Sequence, residues 1–154
     1  KQLPIHFILS GTRAAHLPKP NKICHLPENE LIQAIKGFQG TPESLLENKK
    51  FMKLILPLLR ADFAIADRYQ YCPEKKLNAN LSLFWATGES EVTKAETLAW
   101  KDLIEGQFDY VEFSGEHLFI KDQEDEYIRQ CNLILKRLLE EMSQRVNSQH
   151  VVSH

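Results

Sequence analysis

The feature that most constrains this sequence is a change of rhythm near residue 80. Leu81-Ser82-Leu83-Phe84-Trp85-Ala86 is a short run with almost no polar alternation, and Phe108 to Phe113 is a second one. Between them, Thr93-Lys94-Ala95-Glu96 has the pattern of a capping box, and Trp100, Leu103 and Ile104 follow on one helical face. After the second run, Ile128, Cys131, Leu135, Leu138 and Met142 trace a long amphipathic helix. Strands that are apolar on both faces must be covered on both faces. Parallel sheets achieve this because the crossover helices pack on either side. The expected fold is therefore α/β, with a parallel sheet and flanking helices.

The first half reads differently. Pro4-Ile5-His6-Phe7-Ile8-Leu9 is another buried-strand run, closed by Ser10-Gly11. Pro18, Pro20 and Pro27 make residues 16–29 a loop. Leu31, Ile35 and Phe38 then predict a short amphipathic helix that stops between Gly37 and Gly40. Thr41-Pro42 reads as an N-cap followed by proline at the first helical position. Phe51, Ile55, Leu58, Leu59 and Phe63 keep helical spacing, and Pro57 interrupts them. Two helices, or one kinked helix, are expected between residues 43 and 70. The layout is thus one strand, a helical insertion and two strand–helix units. The insertion, taken as residues 26–70, has the place of a lid over a site. The polar residues after Met142 are expected to form a flexible tail over 146–154.

Composition excludes several classes. With 19 basic against 21 acidic residues and a net charge of −2, nothing in the total charge favours a nucleic-acid or membrane partner. No apolar run reaches the ~20 residues that span a bilayer. Cys24, Cys72 and Cys131 are an odd count without CxxC spacing, and read as free thiols in a reducing, cytoplasmic setting. His6, His16, His25 and His117 show no metal-ligand spacing, so no metal is expected.

In open α/β sheets, ligands bind at the carboxyl ends of the strands. Two such ends carry ionisable residues: Thr87-Gly88-Glu89-Ser90-Glu91-Val92 and Ser114-Gly115-Glu116-His117-Leu118-Phe119. An acid after one strand and a histidine after the next is the order found in α/β-hydrolase triads. There the carboxylate orients the imidazole, and the imidazole takes the nucleophile's proton. The same residues also have ordinary roles, since carboxylates favour a helix start and a histidine after glycine can simply pack.

Five stretches, in order, resemble the C-terminal part of type II thioesterases, the stand-alone α/β-hydrolases that serve peptide, polyketide and fatty-acid synthases. They are Pro4 through Ala14, Gly40-Thr41-Pro42-Glu43, Leu58-Leu59-Arg60-Ala61-Asp62-Phe63, Val92-Thr93-Lys94 through Ala99-Trp100, and Gly115-Glu116-His117-Leu118-Phe119. The resemblance covers residues 3–140. It implies that His117 is the catalytic base, in a Gly-Gly-His-Phe-Phe-like motif whose second glycine is here Glu116. It implies that the acid is Glu89, with Glu91 as the alternative, where the family usually has aspartate. It makes residues 1–145 the C-terminal part of an α/β-hydrolase domain. The 26–70 lid becomes the wall of an acyl channel, with Leu31, Ile35, Phe38, Phe51, Met52, Ile55 and Leu59 as acyl-contact residues. Arg60 and Asp62 are expected to make structural polar contacts, and Lys49, Lys50 and Lys53 form a small basic cluster beside the lid.

The sequence contains no Gly-x-Ser-x-Gly. In the family that elbow precedes the strand at residues 4–9, so the nucleophile is expected upstream of Lys1. Ser10 ends a strand, but Ile8 stands where the elbow has its first glycine, and a loop rather than a helix follows. The activity implied is hydrolysis of acyl thioesters on the phosphopantetheine arm of acyl or peptidyl carrier proteins, with no cofactor. A non-catalytic module that binds the carrier or a partner, and a hydrolase of oxygen esters, are the alternatives.

Overall fold

The computed structural model describes residues 4–38 and 40–151, with side chains through residue 144. The chain divides into a sheet unit, residues 1–13 with 76–154, and a helical unit, residues 14–75.

Three parallel strands make the sheet: β1 (His6–Ser10), β2 (Asn80–Ala86) and β3 (Phe108–Phe113), in spatial order β1-β2-β3. The register sets His6 opposite Asn80, and Leu81 opposite Phe108 through Ala86 opposite Phe113. β2 is central and almost wholly buried, with Leu81, Ser82, Leu83, Phe84 and Ala86 at 0% exposure. Its side chains alternate between two cores. Leu81 and Leu83 pack with Ile104, Phe7, Leu9 and Trp100 on one face. Phe84 and Ala86 pack with Phe113, Phe119 and Ile134 on the other. Ser82 is the polar residue in this strand's buried core, and its hydroxyl lies 2.9 Å from His6 Nε2.

The helices of this unit differ in detail from their sequence patterns. The Thr93/Glu96 capping box forms and opens α4 (Lys94–Leu98). The α-helix then tightens into a 3-10 turn over Ala99–Leu103, and Ile104 lies beyond it, so Trp100, Leu103 and Ile104 do not share one α-helical face. Trp100 explains the tightening: its Nε1 donates to Thr12 O at 3.2 Å, while its ring packs in the Leu81–Leu83 core. After β3 come a single turn, α5 (Phe119–Asp122), and the long α6 (Glu124–Val151). Of the expected face of α6, Cys131 and Leu138 turn to the core, where Tyr127 and Ile134 join them, while Ile128, Leu135 and Met142 are about half exposed. Two apolar stripes are available at helical spacing. Tyr127 decides between them, because its ring stands edge-on to Phe84 at 5.2 Å and its hydroxyl lies 3.0 Å from Ser10 Oγ. The backbone of α6 is helical to Val151. The side chains of the tail expected over 146–154, and its last three residues entirely, lie outside the described residues.

The helical unit holds α1 (Glu28–Gly37), α2 (Glu43–Leu46) and α3 (Lys49–Arg68). Two expectations are corrected here. Pro42 is the N-cap of α2 rather than its first helical residue, because its ψ of 135° is extended and its carbonyl accepts from Leu45 and Leu46. The break between α2 and α3 falls at Asn48, whose side chain accepts from the backbone N–H of Lys50 and Phe51, and not at Pro57. α3 runs through Pro57 although a mid-helix proline costs ~3 kcal/mol. Pro57 faces outward, and the buried residues Met52 and Leu56, with the half-buried Leu59 and Phe63, hold the helix on its inner face.

Asp67, which the sequence pattern does not single out, anchors the proline-rich loop. It is 3% exposed and accepts from the backbone N–H of Ile23 and Cys24, both at 2.8 Å, and from Lys19 Nζ at 2.6 Å. Arg60 donates to the Cys24 carbonyl of the same loop, whereas Asp62 is exposed. Burial alone pushes the Asp67 carboxyl up. The Lys19 hydrogen bond, the two backbone N–H groups and the Lys19 charge outweigh it and hold the pKa at about 2, against 3.8 ordinarily. A carboxyl depressed on folding stabilises the folded state fully above its unfolded pKa, and that stability is lost as the pH falls through the folded value. Asp67→Asn is therefore expected to lower stability at pH 7 by about 2 kcal/mol, since each tenfold change in acidity corresponds to ~1.4 kcal/mol. The gap from the parent should shrink as the pH drops from about 4 toward 2. Urea unfolding across that range checks both the size and the sign.

Candidate active site

The register of β2 and β3 delivers two loops side by side. Past Ala86 and Phe113 the ladder continues for two more steps: Thr87 N donates to Phe113 O at 2.9 Å, and Gly88 N donates to Gly115 O at 2.8 Å. Gly88 has no room for a side chain, because a Cβ there would lie 2.7 Å from the Gly115 carbonyl. Gly115 itself turns through a φ of +112°. Downstream, Phe119 N donates to Glu116 O, and the fully buried Phe119 ring sits in the aromatic core against Phe113. His117 is thereby held between a stitched loop start and a buried anchor.

The carboxylate that meets it is Glu89. His117 Nδ1 donates to Glu89 Oε2 at 2.6 Å. A carboxylate acceptor requires the proton on Nδ1, so in the neutral imidazole Nε2 is the basic nitrogen. The other Glu89 oxygen, Oε1, accepts from the backbone N–H of Glu91 at 2.7 Å and of Val92 at 3.3 Å. The Glu89 side chain is 0% exposed, while that of His117 is 34% exposed. Among the described residues no hydrogen bond occupies His117 Nε2. Glu91, the alternative acid, contributes its backbone N–H to Glu89 rather than its carboxylate to His117.

The third wall is the end of β1. Gly11 has a φ of +52°, and a Cβ there would stand 3.4 Å from His117 Cε1 and 3.6 Å from Glu89 Oε2. Its N–H donates to Phe84 O at 3.0 Å, which fixes it to β2. Ser10, just before it, is engaged with Tyr127. Trp85 Nε1 donates to Val92 O at 3.2 Å and holds the far side of the acid loop. None of these supports has a role that the sequence alone assigns. Gly11 and Arg13 lie in the first of the family-like stretches, but only the fold shows what they touch.

The seven predicted acyl-contact residues all lie in the helical unit. Leu31, Ile35 and Met52 are buried there at 0, 4 and 3% exposure, with Ile23, Leu46 and Leu56. Phe38, Phe51 and Leu59 pack against that cluster with part of their surface open, and Ile55 is also half-buried. Lys49, Lys50 and Lys53 are exposed. Among the described residues, no group of three or more His, Cys, Asp or Glu is placed to hold a metal ion, and no helix is long and apolar enough to cross a membrane.

A parallel sheet with an acid after one strand and a histidine after the next defines the α/β-hydrolase class, of which this chain contains part. The family described as "Thioesterase domain" matches residues 2–135, and the chain belongs to that family. It is 33% identical over 129 residues to the linear gramicidin dehydrogenase LgrE of Brevibacillus parabrevis, covering 81% of this chain and 49% of that protein. It is 30% identical over 137 residues to the gramicidin S biosynthesis protein GrsT of Aneurinibacillus migulanus, covering 86% of this chain and 54% of that one. Among solved structures it is similar to YbtT, a type II thioesterase from the yersiniabactin NRPS/PKS pathway. There the TM-score is 0.73 at 27% identity, over 82% of this chain and 52% of that chain. The chain thus spans about half the length of the curated relatives it matches.

Because Gly88 and Gly115 are stitched so closely, Gly88→Ala is expected to force the two loops apart. The cost should be about 1–3 kcal/mol of stability, typical of an added carbon in a filled space. The low-field proton resonance of His117 Nδ1 should also weaken or shift, which NMR of the variant tests.

Proposed function

We propose that this chain supplies the base and the acid of a thioester hydrolase that frees acyl groups from the phosphopantetheine arm of acyl or peptidyl carrier proteins. The serine nucleophile then belongs to a segment outside these 154 residues. The observation that carries this reading is the His117–Glu89 pair: Nδ1 is bound to a buried carboxylate, and Nε2 has no partner among the described residues. Supporting it are the family match and the similarity to a type II thioesterase of an NRPS/PKS pathway.

In the proposed reaction the serine hydroxyl adds to the thioester carbonyl, and its proton moves to His117 Nε2. The tetrahedral intermediate collapses with breakage of the C–S bond, and His117 returns the proton to the departing thiolate. Water then adds to the acyl-serine ester and gives a proton to the same nitrogen. Collapse releases the carboxylic acid and restores the serine hydroxyl. Glu89 fixes the imidazole and stabilises its transient positive charge. These steps call for no metal or redox cofactor.

Within the helical unit, Phe38, Phe51, Ile55 and Leu59 retain surface to meet an acyl chain, with Leu31, Ile35 and Met52 supporting them from the core. Lys49, Lys50 and Lys53 would favour an acidic carrier.

The test uses the complete protein that carries this chain, with acyl-pantetheine thioesters and matched oxygen esters as substrates. His117→Ala is expected to lower kcat on the thioester by about 10²–10⁴-fold, the usual worth of a general base. Glu89→Gln is expected to cost about 10²-fold or more, because it disturbs the imidazole tautomer. Full activity in His117→Ala defeats the proposal. Faster turnover of oxygen esters replaces it with an esterase, and carrier binding without turnover replaces it with a binding module.

A further inference from the structure

Arg13 has no assigned role, yet it joins the end of β1 to the stretch that holds Glu89. Its guanidinium pairs with the Glu96 carboxylate, and its Nη2 points to the backbone carbonyl of Glu91 at 3.5 Å. Glu91 is also the residue whose N–H grips Glu89 Oε1, and Glu96 is the capping-box residue of α4. Behind Arg13, Thr12 O is fixed by Trp100 Nε1, and Gly11 by its bond to Phe84. The pair is partly buried, with the Arg13 and Glu96 side chains 18% and 27% exposed, so salt screens it less than a surface pair. The Glu96 carboxyl is held below its ordinary range. The Thr93 backbone N–H contributes most, against burial, and the Thr93 side chain and then Arg13 add to it.

We propose that Arg13 is a positioning residue for the His117–Glu89 pair. By bridging Glu96 and the Glu91 carbonyl it sets where the Glu91 and Val92 N–H groups stand, and so which way the Glu89 carboxylate faces. The inference rests on His117 and Glu89 being base and acid. It adds a residue that touches neither the substrate nor the reacting atoms.

The experiment compares Arg13→Gln, Arg13→Lys and Glu96→Gln in the complete protein. Glu96→Gln keeps an acceptor for the Thr93 N–H, so the helix start survives while the charge opposite Arg13 is lost. Arg13→Gln and Glu96→Gln should each lower kcat about 10-fold with KM nearly unchanged, as expected when supporting contacts of a reacting pair loosen. The double variant should be no worse than either single one, because both remove the same link. Arg13→Lys should recover part of the loss, through charge alone. In each impaired variant the low-field His117 Nδ1 proton should shift or broaden, at a temperature well below melting. An unmoved Nδ1 resonance with unchanged kcat overturns the inference, as does a kcat loss that merely follows the fraction unfolded. The resonance reads the pair's geometry whether or not turnover uses it. An active His117→Ala therefore defeats the hydrolase reading separately from this one.

Discussion

The parallel pairing of β2 with β3 is the constraint on which the candidate site depends. β2 is buried on both faces, so a one-residue slip would turn Leu81, Leu83 and Phe84 each to the opposite core at once. That penalty fixes the register, and the register brings Ala86 and Phe113 to the same height. Parallel strands send their following loops off the same edge. Glu89 and His117 meet because each lies a few residues past a fixed strand end, with Gly88 and Gly115 closing the gap between the loops. The pair is thus a product of the sheet rather than of local sequence.

Much of this is legible in the sequence because the strongest signals are local. Three apolar runs, a capping box and an acid–histidine order identify a parallel α/β sheet and the two loops, and the strands lie within a residue or two of their sequence patterns. What sequence could not decide were choices between equivalent stripes or caps. α6 carries two apolar lines, and only contact with Phe84 and Ser10 selects the one through Tyr127. Proline at position 57 argues for a break in α3, yet tertiary packing of Met52, Leu56 and Phe63 carries the helix through it. Asp67 was invisible because two of its partners are backbone N–H groups of Ile23 and Cys24, which leave no trace in residue identity, and the third, Lys19, lies 48 positions away in sequence.

The choice between Glu89 and Glu91 stays open in the sequence for a related reason. Both follow the same strand, and both are near enough in sequence to serve. Their separation comes from the turn: the chain folds back so that the Glu91 and Val92 N–H groups face the Glu89 side chain. One glutamate is thereby buried and oriented by the backbone of the other. A sequence pattern counts positions and cannot see which of two carboxylates the turn encloses.

Glutamate has one methylene more than aspartate, which raises the question of how so long a side chain can orient an imidazole. An extra methylene adds a rotatable bond, and a free carboxylate on it would sample several directions. Here that freedom is removed. Burial excludes water from the Glu89 side chain, so its oxygens must find protein donors or bear a desolvation cost of several kcal/mol. Oε1 takes two backbone donors that cannot move without moving the loop, and with that oxygen fixed Oε2 has one direction left, toward His117 Nδ1. The loop backbone, tied down by Arg13 and by Trp85, does for glutamate what a shorter side chain does for aspartate. The precision of the pair then depends on how firmly the loop is held, more than on which acid it carries.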